Sequence, residues 1–183
     1  MRKDNAFSRA LVVGSPGVGK STFARKLRNR CGLPLVYLDM IWHQPDGTNV
    51  THEEFDAQLD IELARERWII DGNYLRTLER RLARADVVFF FDLPADICLA
   101  GVAARIGRAR EDMPWIEYEL DPEFADYVRR FPTEQRPQLV ELFAKRPASC
   151  RLVAFRTHAE SDLFLANLQD TNRACPGDNL HAL

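Results

Sequence analysis

"GSPGVGKST", residues 14–22, stands between the apolar run "ALVVG" and the segment "KSTFARKLRNR". The spacing of Gly14, Gly19, Lys20 and Ser21 is the G-x-x-x-x-G-K-[ST] pattern, here with a strand expected before it and a helix after it. Glycines let the backbone curl so that successive N–H groups converge on phosphate oxygens. The following helix adds its positive N-terminal end. Lys20 bridges the β and γ phosphates, and the Ser21 hydroxyl takes a place on Mg²⁺. The loop Gly14, Ser15, Pro16, Gly17, Val18, Gly19, Lys20, Ser21 and Thr22 therefore reads as a site for a nucleoside triphosphate with Mg²⁺.

Outward from this loop, strand-like and helix-like stretches alternate. Strands are expected at 10–14, at "PLVYLD" (34–39), "RWIIDG" (67–72), "DVVFFFDLP" (86–94) and "RLVAFRT" (151–157). Helices are expected at 20–30, from Thr51 to Arg67 behind a Thr51/Glu54 capping box, in "YLRTLERRLARA", at 95–110 and at 160–168. Strands separated by helices, too far apart for hairpins, make a parallel sheet with helices on both faces. "VVFFF" is apolar without alternation, as a strand covered on both sides should be. The proline-marked stretch 108–137 fits no ordinary connection. One domain over 1–168 is expected, with 169–183 a disordered tail.

Composition excludes several classes. With 183 residues, 46% hydrophobic and a net charge of −2, the chain suits one soluble domain without the basic excess of a nucleic-acid binder. Cys31, Cys98, Cys150 and Cys175 are scattered, as in a reducing compartment. No window is apolar enough for a membrane span or signal peptide, so a cytoplasmic protein is expected, monomer or homodimer. An N-K-x-D guanine motif is absent. "WIID" is followed by Gly72 and "VFFFD" by Leu93, so neither strand end carries the glutamate that activates water in motor ATPases. A kinase, whose acceptor brings its own nucleophile, fits better than an NTP hydrolase.

The order "GSPGVGKST … LVYLD … RWIIDGNY … TLERRLARADVVFFFDLP … RIGRAR" resembles the adenylate-kinase-like P-loop kinases, and within them the topology modulation proteins. The resemblance covers residues 8 to 168. It implies the P-loop NTPase three-layer fold, a five-stranded parallel sheet in the order 2-3-1-4-5. An acceptor-binding region would fall at about 39–66 and a mobile lid at about 105–137. It also implies phosphoryl transfer from ATP with Mg²⁺. Asp71 matches the aspartate of "DGFPR" in adenylate kinases and would join Ser21 at the metal. Gly72, Asn73 and Tyr74 would face the acceptor, while Arg76 is displaced by one residue from the arginine of that motif. Arg105, Arg108 and Arg110 fall at lid-arginine positions, Arg105 over the adenine and Arg108 or Arg110 toward the phosphates, where guanidinium groups stabilise the charge of the transition state. Arg129, Arg130 and Arg136 are weaker candidates of the same kind. Arg156 and Thr157 would border the adenine through their backbone.

The acceptor is read from what is missing. Between Cys31 and Ala64 there is no lysine or arginine, whereas Asp39, Asp46, Glu53 and Glu54 make the segment acidic. Kinases of nucleoside monophosphates place arginines there to hold a second phosphate. A carboxylate at the end of strand two is what sugar-acid and shikimate kinases use to bind or deprotonate a hydroxyl. Asp39 is therefore the candidate catalytic carboxylate beside Lys20, with Trp42 a wall of the pocket or part of the core. The favoured acceptor is the hydroxyl of a nucleoside or small metabolite. A monophosphate acceptor remains the alternative, since Arg76, Arg80 and Arg81 lie on the other wall. A further alternative is a nucleotide-binding regulator associated with DNA topology. His43 and His52 read as lining residues rather than metal ligands, and Trp115 as a second stacking platform.

Overall fold

The computed structural model describes residues 7–168; the expected tail lies outside them. Five strands, β1 (Arg9–Gly14), β2 (Leu35–Tyr37), β3 (Trp68–Asp71), β4 (Val87–Phe91) and β5 (Arg151–Phe155), form one sheet in the order β2-β3-β1-β4-β5. Every pairing is parallel, as the alternation of strands and helices required. This is the order that the resemblance implied. It places β1, which feeds the phosphate loop, at the centre between β3 and β4.

Successive residues of β1 point to opposite cores. Ala10 and Val12 join Phe89 and Phe91 of β4 against Phe23 and Leu27 of α1 (Lys20–Cys31) and Leu165 of α7 (His158–Asn167). Leu11 and Val13 join Val88 and Phe90 against α3 (His52–Ala64), α4 (Leu75–Leu82) and α6 (Pro122–Ala144). Both faces of β1 and β4 are thus dry, which is why "ALVV" and "VVFFF" lack polar alternation. Each fully buried Phe or Leu contributes about 1.5–3 kcal/mol of transfer free energy to this arrangement. Among the described residues no helix is long and apolar enough to cross a membrane.

Three expectations are corrected. The second strand stops at Tyr37, and Asp39 lies in the first turn of a short helix, α2 (Leu38–Trp42). Leu38, Ile41 and Trp42 have the i, i+3, i+4 spacing of a helix and turn toward one core, so helical periodicity takes over where an extended run was expected. The helix expected at 95–110 ends at Ala103, as α5 (Ala95–Ala103). Residues 122–137, expected within the lid, belong to the 23-residue helix α6. Asp121 caps it, accepting from Glu123 N–H at 2.9 Å, and Pro122 stands in its first turn, where a missing N–H costs nothing. Ala125, Val128, Phe131, Leu139 and Phe143 bury its inner face, whereas Pro132 and Pro137 are exposed, where water can reach the carbonyls they leave unpaired. The stretch without helix or strand is therefore residues 104–121, between α5 and α6.

The phosphate loop rests directly on α5. A Cβ at Gly101 would fall 1.9 Å from Gly17 O, and one at Gly17 would fall 2.1 Å from Cys98 O. Backbone touches backbone here, and no side chain can move aside. Gly101→Ala is expected to destabilise the fold by about 1–3 kcal/mol, as overpacking does. By pushing the loop off α5 it should also weaken ATP binding at least about tenfold; thermal melting and calorimetric titration check the two effects.

Candidate active site

A cleft of about 1410 Å³ opens where β1, β3 and β4 end, lined by the phosphate loop, the loop after β3, the lid and the start of α7. Parallel α/β sheets bind ligands at this carboxyl edge. Lys20 heads it, its Nζ donating to Ser15 O at 2.9 Å. Desolvation pulls the Lys20 ammonium below the usual lysine range, and the charges of Asp71 and then Asp39 pull it back. Both carboxylates singled out in the sequence thus converge on this lysine.

Asp71 is 5% exposed, and its Oδ1 has no hydrogen-bond partner. Burial pushes its pKa up to about 6 against the opposing Lys20 charge, with Asp39 and Asp112 adding repulsion. The Ser21 hydroxyl has one proton, and it goes to Asp112 Oδ2 at 2.9 Å. Among the described residues no group of three or more His, Cys, Asp or Glu could hold a metal ion unaided. Ser21, Asp71 and Asp112 are all hard oxygen donors with one orphaned carboxylate oxygen among them. That set fits Mg²⁺, which typically takes one or two carboxylates and completes its shell with phosphates and water.

The loop after β3 is held from both ends. Asn73 Nδ2 donates to Gly14 O and its Oδ1 accepts from Gly14 N–H, each at 2.9 Å. Asn73 thus braces the phosphate loop as well as lining the cleft. Tyr74 adopts φ 35°, a left-handed conformation costly for a side chain with a ring. There its hydroxyl donates to Asp39 Oδ1 at 2.9 Å. Burial, then the Asp39 charge, raise the Tyr74 pKa far above the usual range, so it stays a donor.

Arg81 holds this strained turn in place. It is fully buried, and its guanidinium donates to the carbonyls of Gly72 and Tyr74, each at 2.9 Å, and also to that of Asn73. Burial lowers its pKa to about 9. This residue was read from sequence only as a possible phosphate binder. The signal for its actual place was its position: Leu78, Arg81 and Leu82 share one helical face, so an arginine sits on the apolar side of α4.

The other two arginines of that wall are also engaged. Arg76 makes a bidentate pair with Asp56, both contacts 2.8 Å. Arg80 reaches Asp56 at 3.3 Å and Asp60 at 3.1 Å. Trp42 lies outside the main cleft, stacked on His52 at 5.1 Å and set edge-on to Tyr74 at 6.2 Å. It supports Tyr74 from behind. His43 and Trp115 do line the cleft, their rings edge to face at 5.0 Å.

The 104–121 segment lines the same cleft as Lys20. Arg105 pairs with Glu117 at 3.1 Å and lies over the Phe124 ring at 5.4 Å. Arg110 pairs with Glu117 at 3.3 Å and Asp112 at 3.5 Å, while Arg108 is exposed at the rim. The acids Asp112 and Glu117 join the site without any motif of their own in the sequence. Arg136 is engaged with Asp92, at 2.7 and 2.8 Å. Arg156 is exposed and does not line the cleft; its N–H donates to Glu160. His158 is there instead, its ring N–H donating to Val18 O at 3.0 Å.

No protein-family model matches this sequence, and neither does any curated protein. Solved structures do match. A shikimate kinase from Bacteroides thetaiotaomicron is similar over 89% of this chain and 96% of its own, with 15% identity and a TM-score of 0.57. A shikimate kinase from Acinetobacter baumannii, solved with shikimate, is similar over 86% and 89%, with 16% identity and a TM-score of 0.55. The chain has the P-loop NTPase fold. At that identity the likeness is one of fold.

Arg81→Met keeps the volume and removes the donors, leaving buried carbonyls unpaired. A loss of at least about 2 kcal/mol of stability is expected, read from urea unfolding. Arg81→Lys should recover only part of it, because one ammonium does not reproduce the planar fork.

Proposed function

We propose that this protein is an ATP-dependent kinase that phosphorylates a hydroxyl group of a small molecule. The observation that carries the reading is Asp39. It faces the Lys20 cleft with the Tyr74 hydroxyl locked on one oxygen, while the three arginines of the neighbouring wall are engaged elsewhere. An acceptor phosphate would need free cations on that wall. A hydroxyl needs a carboxylate that orients it and takes its proton as the oxygen attacks the γ-phosphorus. The bond from that phosphorus to the β,γ-bridging oxygen then breaks and ADP leaves. The fold relatives include a shikimate kinase solved with shikimate, in keeping with a hydroxyl-bearing acceptor.

In this reading ATP lies on residues 14–22, its adenine side toward α7, and Arg105, Arg108 and Arg110 neutralise the transferring group from the lid. Ser21 and Asp71 would hold Mg²⁺, which when bound screens the β and γ oxygens. The "DGNY" turn and the Arg81 that clamps it are among the segments by which the chain resembles the topology modulation proteins, and we place it with them as part of the proposal. The engaged arginines weigh against an adenylate-type kinase.

A coupled ADP-release assay over nucleosides, monophosphates and small hydroxylated metabolites tests this. At least one hydroxyl acceptor should raise turnover well above background hydrolysis, and Lys20→Ala should abolish it. Asp39→Asn should cost at least about a hundredfold in kcat, the usual worth of a positioned general base. Stimulation by monophosphates alone, untouched by Asp39→Asn, would sink the proposal.

A further inference from the structure

The lid carries an acid to the phosphate loop. Asp112 is 7% exposed, in the middle of the 104–121 segment, and its Oδ2 accepts the hydrogen bond of the Ser21 hydroxyl at 2.9 Å. Arg110 stands 3.5 Å from the same oxygen, too far for a strong hydrogen bond, and divides its charge with Glu117. The neighbouring Glu111 is tied to Arg28 of α1 at 2.5 Å, so the lid meets α1 at two successive residues. Beside Ser21, Asp71 keeps a buried oxygen without any partner. One hydroxyl proton therefore serves two enclosed carboxylates, and Lys20 Nζ is directed at Ser15 O.

We propose that Asp112 is a ligand, directly or through water, for the divalent cation that accompanies the nucleotide, so that binding of this cation draws the lid shut. The proposal rests on reading the cleft as an ATP·Mg²⁺ site. Two carboxylates and a hydroxyl form an all-oxygen set of the kind Mg²⁺ and Mn²⁺ take. A cation among them removes the repulsion that the Ser21 proton alone leaves standing. It also releases Arg110 from Asp112 toward the phosphates.

The opposite role, a plug that has to leave Ser21 before the metal enters, fits the surroundings less well. Arg105, Arg110 and Glu117 interlock behind Asp112, and the Arg28–Glu111 pair anchors it in front. Withdrawing Asp112 with the nucleotide bound would pull against the Arg28–Glu111 anchor, whereas coordination leaves that anchor in place.

The test uses the full chain, ADP and Mn²⁺. ADP affinity is first measured calorimetrically with metal chelated. Mn²⁺ is then titrated into the ADP complex and followed by electron paramagnetic resonance, with hydrogen exchange read across residues 104–121. For Asp112→Asn the metal-free ADP affinity is measured in the same way and serves as that variant's own reference. Its Mn²⁺ affinity should fall about tenfold, as loss of a metal-site partner does, and the Mn²⁺-dependent protection of the lid should disappear. Asp112→Ala, which places no amide beside Ser21, should show the same loss. Unchanged Mn²⁺ affinity in both variants would overturn the proposal, and tighter binding would identify Asp112 as a plug. A wild-type chain that binds neither ADP nor Mn²⁺ would bring down the nucleotide reading as well. Normal Mn²⁺·ADP binding with no acceptor turnover would count only against the kinase reading.

Discussion

Arg81 puts a full positive charge into the core and meets it with three backbone carbonyls instead of a carboxylate. Carbonyls are acceptors of fixed direction, so the guanidinium plane dictates where Gly72, Asn73 and Tyr74 lie. That turn is strained at Tyr74, and such strain persists only where surrounding contacts over-determine it. From it follow the Asn73 brace on Gly14, which aligns β3's end with the phosphate loop, and the Tyr74 hydroxyl on Asp39. One buried fork therefore sets the distance between the donor and acceptor halves of the cleft.

The other constraint is contact without side chains. Gly17 and Gly101 let the phosphate loop lie backbone to backbone on α5, so the loop has a rigid floor. The lid begins just beyond that helix, at residue 104. A helix that supports the phosphates thus also launches the segment that covers them. The charges of the 104–121 segment alternate, Arg105 and Arg110 against Glu117 and Asp112, and they hold it inward together with Leu120 on the core and Trp115 on His43. The side chains of these pairs are between 10% and 22% exposed, so solvent screens them less than it screens pairs on an open surface.

Much of the site was legible beforehand because its parts are local. The loop at 14–22, the strand-end Asp71 and the "DGNY" turn carry their geometry in glycines and in spacing along the chain. Asp39 was found through the absence of cations around it. What escaped were residues whose meaning depends on a distant partner. Arg76 and Arg80 looked available until Asp56 and Asp60 of α3 faced them. Trp42 looked like a pocket wall until Tyr74 came between it and the cleft. Asp112 is 91 positions from Ser21, and no local pattern announces that meeting.

By itself the sequence determined the class of fold, the succession of strands and helices along the chain and the phosphate-binding loop. Those follow from periodicity and from glycines with one workable conformation. It did not determine how the prolines of 122–137 would be used, because a proline ends a helix or rides its exposed side according to what the opposite face can bury. Only the tertiary structure decided which charges are spent. A guanidinium is equally basic everywhere along the chain, and whether it holds a substrate, a carboxylate or the backbone depends on which acceptors the fold brings within about 3 Å.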